Sequence, residues 1–219
     1  MNKKEELFWD IIEILFKNNI LGYIILIGSW VEYIYEAANY FHGFEANLKT
    51  KDVDFLIKNI SKPRERIKLV EILENEDYLL DKDYLSGVYK FYKDRNLEVE
   101  FIARELGKGK SEPYKVDSLG IKVEGLRNMD VLINNSTTLI VKNFPISVPI
   151  PQSYILHKMI IYKERTKKAE RDFLSIDNIL GQIKKSKTEV EVLKGIYGSL
   201  SKKQKNLIDY YCKLNFIKL

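Results

Sequence analysis

The chain has 219 residues, with 36 Lys and Arg against 31 Asp and Glu, a net charge of +5. With 45% apolar and 31% charged residues it can fill a large core, and its many aromatic and β-branched residues exclude a disordered segment. One cysteine, Cys212, excludes an internal disulfide and a cysteine-based metal site, and two histidines, His42 and His157, exclude a three-histidine zinc site. No apolar run reaches the roughly 18 residues of a membrane span; the longest, Ile20 to Trp30, contains two glycines. Glu5, Glu6 and Asp10 argue against a signal peptide, so a cytoplasmic, reducing location with no membrane attachment is expected. The mild positive charge permits nucleotide or nucleic-acid binding without requiring it.

In chain order, Leu7, Phe8, Ile11, Ile12, Leu15 and Phe16 recur at helical spacing and predict a helix from Lys3 to Asn18. Leu21 to Ile27 is nearly all apolar and predicts a buried strand that Gly28-Ser29 breaks. A helix from Trp30 to Tyr40 and a loop from Phe41 to Lys49 follow. Asp52 to Ile57 alternates acidic and apolar residues like a half-buried strand. Pro63 to Glu76 reads as a helix. Gly87 to Tyr92 and Leu97 to Ala103 read as a hairpin, and Gly107 to Pro113 as a loop. Short strands are expected around Ile121–Val123, Thr138–Val141 and Ile146–Val148, with a short helix near Met129 to Asn134. From Pro149-Ile150-Pro151 onward the pattern is helical and Lys-rich. The expectation is an α/β (α+β) core over residues 1–150 and a helical unit over 151–219.

Two acids separated by one residue occur six times, a number close to chance at this acidic content. Context separates Asp52-Val53-Asp54 and Glu98-Val99-Glu100, which sit inside apolar strands. Side chains two apart on a strand share a face, so each pair puts two carboxylates together while Val53, Phe55, Val99 and Phe101 face the core. Clustered carboxylates repel and call for a cation. Mg²⁺ prefers carboxylate oxygens and leaves positions for phosphates, and two such ions can align an in-line transfer. The alternative is an edge strand with an exposed acidic face. Leu26-Ile27-Gly28-Ser29-Trp30 is an apolar strand, a Gly-Ser break and a helix start, which suits phosphate binding by backbone N–H groups and the Ser29 hydroxyl. Its alternative is an ordinary helix cap at Ser29.

Gly28-Ser29, Thr50-Lys51-Asp52-Val53-Asp54-Phe55 and Val99-Glu100-Phe101-Ile102, in that order, resemble the nucleotidyltransferase superfamily with the DNA polymerase β-like fold. Val148-Pro149-Ile150-Pro151, Leu156-His157-Lys158-Met159 and Arg165 through Arg171-Asp172 resemble the C-terminal signature of stand-alone prokaryotic members, including AbiEii-type toxins. The resemblance spans residues 20 to 180. It implies a mixed sheet flanked by helices and transfer of a nucleotide from an NTP, ATP among them, to an acceptor hydroxyl on RNA such as tRNA, on protein or on a small molecule. It implies that Gly28 and Ser29 hold phosphates and that Asp52, Asp54 and Glu100 hold Mg²⁺, with two ions and Mn²⁺ as a substitute. Glu98 is the second choice for the third carboxylate. Lys158 and Arg165 would neutralise phosphate charge, with Asp172 orienting one of them. An antitoxin partner would follow for a toxin. The rival reading is a non-catalytic binding module on the same fold.

Two features depart from the family pattern: 23 positions separate Ser29 from Asp52, and Trp30 follows the serine. Lys158, Arg165 and Asp172 are seven apart and share a face if they lie on one helix or on two stacked in line. The alternative is the solvated face of a basic helix. On the phosphate-binding reading, Lys158→Ala is expected to weaken NTP binding and to change the melting temperature little. His157 is expected to be packed away from this face. Tyr33, Tyr35, Tyr40, Phe41 and Phe44 are expected to pack in the core, one of them at most stacking on a base. Lys184, Lys185, Lys187, Lys202, Lys203 and Lys205 form a solvated basic surface that could hold a polyanion.

Overall fold

A computed structural model describes residues 2–46, 50–107, 112–165 and 169–219. Residues 47–49 of the expected loop from Phe41 and 108–111 of the loop from Gly107 lie outside the described residues. The first helix, α1 (Lys3–Lys17), starts where the Asn2 side chain accepts the Glu5 N–H, with Glu5 and Glu6 in its first turn. Its apolar stripe, Leu7, Phe8, Ile11, Ile12 and Leu15, is buried. Asn18 and a left-handed Asn19 (φ 57°) end it.

The central sheet is mixed. Strand β1 (Ile24–Ile27) pairs antiparallel with β2 (Asp52–Ile57), and β2 pairs parallel with β5 (Leu97–Arg104). The first half of β5 pairs antiparallel with β4 (Tyr89–Lys93), whose other side carries β3 (Leu79–Lys82). The second half of β5 pairs parallel with β7 (Ile121–Leu126), which carries β6 (Tyr114–Val116). A separate hairpin, β8 (Ser136–Val141) and β9 (Phe144–Pro149), turns at Lys142-Asn143, both at positive φ. Helix α2 (Trp30–Ala37) follows β1, α3 (Leu69–Glu74) follows β2, and α4 (Asp130–Ile133) follows β7. Among the described residues the chain ends in the helices α5 (Pro151–Ile161), α6 (Ala169–Ile183), α7 (Lys187–Ser199) and α8 (Lys202–Leu214). Helices α6, α7 and α8 all pack against α5. This is the expected mixed α/β architecture with flanking and C-terminal helices.

The differences are local. The predicted strand from Leu21 begins only at Ile24, because Leu21–Tyr23 forms a 3₁₀ turn. The predicted helix from Pro63 begins only at Leu69, because the Ile67 N–H donates to the Ser118 carbonyl at 2.6 Å, outside any helical pattern. Strands β3 and β6 go unpredicted: they are only four and three residues long and lie at the sheet margins, too short for a period of two to stand out. Trp30 is fully buried and stacks face to face on Phe8, with centroids 4.2 Å apart. Its bulk therefore points into the core. Tyr35 is also buried, its hydroxyl donating to the Pro149 carbonyl at 2.6 Å. Among the described residues no helix is long and apolar enough to cross a membrane.

Candidate active site

The alternation of β2 does what the sequence pattern requires: Val53 and Phe55 are buried, while Asp52 and Asp54 are half-buried on the opposite face. Parallel pairing puts Asp52 opposite Glu98 and Asp54 opposite Glu100. Antiparallel pairing brings the end of β1 against the same place, Ile27 opposite Asp54. Gly28 then turns with φ +75°, and a β-carbon there would lie 2.5 Å from Asp54 Oδ2. Only glycine both adopts that angle without strain and lets the backbone come so close to a carboxylate.

Ser29 stands at the N-cap position of α2, but its side chain makes no cap hydrogen bond. Its Oγ lies 2.8 Å from Thr50 Oγ1, and Thr50 in turn donates to the Asp52 carbonyl at 3.1 Å. The helix-cap reading of Ser29 is thus corrected: the hydroxyl bridges the turn to the start of β2.

The opposite wall comes from α5 and α6. Lys158 and Asp172 lie on these two packed helices, not on one, and Lys158 Nζ donates to Asp172 Oδ1 at 2.6 Å. Arg165 Nε donates to Asp172 Oδ2 at 2.8 Å. Lys158 is 8% exposed and Asp172 4%, so the solvated-face reading is also corrected. Burial alone would raise the Asp172 carboxyl; the Lys158 and Arg165 charges outweigh it and hold the group below its ordinary range. His157 is buried beside them, its Nε2 without a hydrogen-bond partner. Burial, then the Arg165 and Lys158 charges, push its pKa down to about 3.

Gly28, Ser29, Asp52, Asp54, Lys158, Arg165 and Asp172 line one cleft, whose free interior is about 50 Å³. Glu100 does not line it. Glu100 faces a neighbouring cleft that shares Gly28, Asp54, Lys158 and Arg165 with the first. Lys90, outside the lining of that cleft, bridges Glu98, at 2.9 Å, and Glu100. Burial, the hydrogen bond with Glu98 and the Asp54 charge raise Glu100, with Lys90 opposing. Glu98 moves the other way, held down by its bonds to Glu100 and Lys90 against the effect of burial.

Sequence reasoning missed four side chains of the first cleft: Thr50, Glu32, Ser175 and Arg171. Glu32 is 3% exposed, in the first turn of α2. Its Oε1 accepts from Tyr154 at 2.9 Å and from Ser175 at 2.5 Å, and Tyr154 Oη also lies 3.1 Å from the Gly28 carbonyl. Its Oε2 is buried without a partner. The available signal was a single acid among Trp30, Val31, Ile34 and Tyr35, and a serine one turn after Asp172.

The residue types suit Mg²⁺: Asp52 in the first cleft, Asp54 in both and Glu100 in the second are carboxylates, and an ammonium, Lys90, already stands on Glu100 as a cation would. Among the described residues no three such side chains are already gathered into a metal-binding group.

A family model described as nucleotidyltransferase matches residues 7–191. No curated protein matches the chain by sequence. Among solved structures, an antigenic nucleotidyltransferase-like protein from Paracoccidioides brasiliensis is similar in fold, with a TM-score of 0.54 at 13% identity over 96% of this chain and 88% of that one. The structure of ANT(2″)-Ia in complex with adenylyl-2″-tobramycin is similar with a TM-score of 0.51 at 11% identity, over 89% of this chain and 96% of that one.

Proposed function

The chain belongs to the nucleotidyltransferase family and is a transferase of nucleoside monophosphates; on that premise we propose that it works with Mg²⁺ and that Asp52, Asp54 and Glu100 hold the metal. One observation carries the reading: the Gly28-Ser29 turn, both β2 carboxylates and the Lys158–Asp172–Arg165 group line a single cleft. Mg²⁺, when bound, supplies positive charge that neutralises the triphosphate and stabilises the transition state.

The chain's own groups do the rest. Gly28 offers its backbone and Ser29 its hydroxyl to the phosphates. Lys158 and Arg165 turn from Asp172 to phosphate oxygens, with Asp172 as the anion that keeps both cations aimed while no nucleotide is present. Glu100, the third carboxylate, takes the proton of the acceptor hydroxyl. The acceptor oxygen bonds to the α-phosphorus, the bond to the bridging oxygen breaks, and pyrophosphate leaves. The test is transfer of an α-phosphate label with Mg²⁺, with and without a chelator. Loss of transfer on chelation supports the reading; full transfer in the chelator refutes it.

A further inference from the structure

Nucleotidyl transfer brings two molecules to one point, and this chain has two clefts that meet at Gly28, Asp54, Lys158 and Arg165. The first supplies Arg171, Ser29 and Thr50 beyond the junction. The second is different in kind. Beyond the four shared residues its charged side chains among the described residues are two carboxylates, Glu100 and Glu124. His157 also reaches it, as the neutral imidazole. Its floor is apolar, with Ile102, Leu126, Met129 and Leu132. Its interior is about 210 Å³, below the roughly 300–1,000 Å³ of pockets that take drug-sized ligands.

We propose that this second cleft is the acceptor subsite, and that the acceptor is a small hydroxyl compound with an apolar face and a protonated amine. The proposal rests on the nucleotidyl-transfer reading above. Glu100, the group assigned to receive the hydroxyl proton, opens into this cleft and not into the first. The acceptor oxygen therefore approaches from this side while the triphosphate lies on the other. Among the described residues that line it, a phosphodiester backbone would meet carboxylates and an apolar floor, and the one cation nearby, Lys90, is held by Glu98 and Glu100. An amine is matched by Glu124, which is exposed on β7 opposite Ile102 and makes no side-chain hydrogen bond or ion pair among the described residues. Glu100 already has Lys90, so Glu124 is the carboxylate that a cationic ligand would meet.

Titration of the full chain with two probes of equal ring and hydroxyl but opposite charge, tyramine and 4-hydroxyphenylacetate, tests this. Tyramine is expected to bind at least about tenfold more tightly, and Glu124→Gln to weaken it about fivefold while leaving the affinity for ATP with Mg²⁺ as it was. Equal affinity of the two probes, an unchanged tyramine affinity in Glu124→Gln, or displacement of tyramine by hexauridylate overturns the proposal. Absence of binding of all four NTPs with Mg²⁺ by the unmodified chain would overturn the transfer reading itself. NTP binding without the probe contrast would overturn the acceptor proposal alone.

Discussion

Lys158 and Asp172, on two different helices, meet at 2.6 Å in the wall of the cleft, both almost fully buried. A buried pair of this kind behaves differently from a surface one. Removing one member leaves the other's charge in a poor solvent, which costs more than the pair itself contributes. Lys158→Met should therefore lower stability by about 2–3 kcal/mol, Arg165 covering part of the loss. It should weaken ATP binding as well. Urea denaturation and ATP titration of the same variant check both. This reverses the sequence expectation that the melting temperature would hardly change.

Asp54→Ala should reduce transfer by about 10²-fold or more. The fold should hold, because the Asp54 charge is one of the causes that raise Glu100, and its removal relieves that repulsion. Labelled transfer and a thermal melt are the two readings. A variant as active as the parent would exclude Asp54 from the metal set.

Gly28→Ala should be worse than its size suggests. The added carbon meets Asp54 Oδ2 at 2.5 Å, and φ is +75°. A stability loss of about 1–3 kcal/mol is expected, together with loss of transfer as the Asp54 carboxylate is displaced. A stable, active Gly28→Ala chain would show that the close approach is dispensable.

His157 gives a pH dependence of stability. Its ordinary pKa is 6.5, and in the fold it is about 3. Between those values the unfolded chain binds the proton and the folded one does not. Stability from this group is therefore complete above about pH 6.5 and declines on acidification, by up to about 1.4 kcal/mol per pH unit, until the folded group titrates. Urea midpoints measured on parent and His157→Leu from about pH 7 to about pH 4 should diverge in slope, the variant being flatter.

Much of this was legible in the residues. The alternation in Asp52–Ile57 and Leu97–Arg104 gave the strand faces, because a period of two leaves one arrangement once Val53, Phe55, Val99 and Phe101 must be buried. The register that sets Asp54 beside Glu100 was not legible, since strand pairing is a long-range event. For the same reason Glu32 was invisible as a site residue: its partners Tyr154 and Ser175 lie far along the chain and meet it only in the fold. The start of α3 was misjudged because Ile67 is claimed by Ser118, again a distant partner. The family match spans residues 7–191 and does not reach the narrower expectation of an AbiEii-type toxin, which was drawn from the short segments around Pro149-Ile150-Pro151 and Leu156-His157-Lys158-Met159.

On the proposed function, the cleft moves a nucleoside monophosphate and needs Asp54 for it. The most direct measurement incubates the protein and Mg²⁺ with a cell extract and NTPs labelled either at the α- or at the γ-phosphate. The expected result is α label on an acceptor with the parent chain, none with Asp54→Ala, and γ label recovered only in pyrophosphate. Transfer of γ label to the acceptor, or equal α transfer by Asp54→Ala, would contradict it.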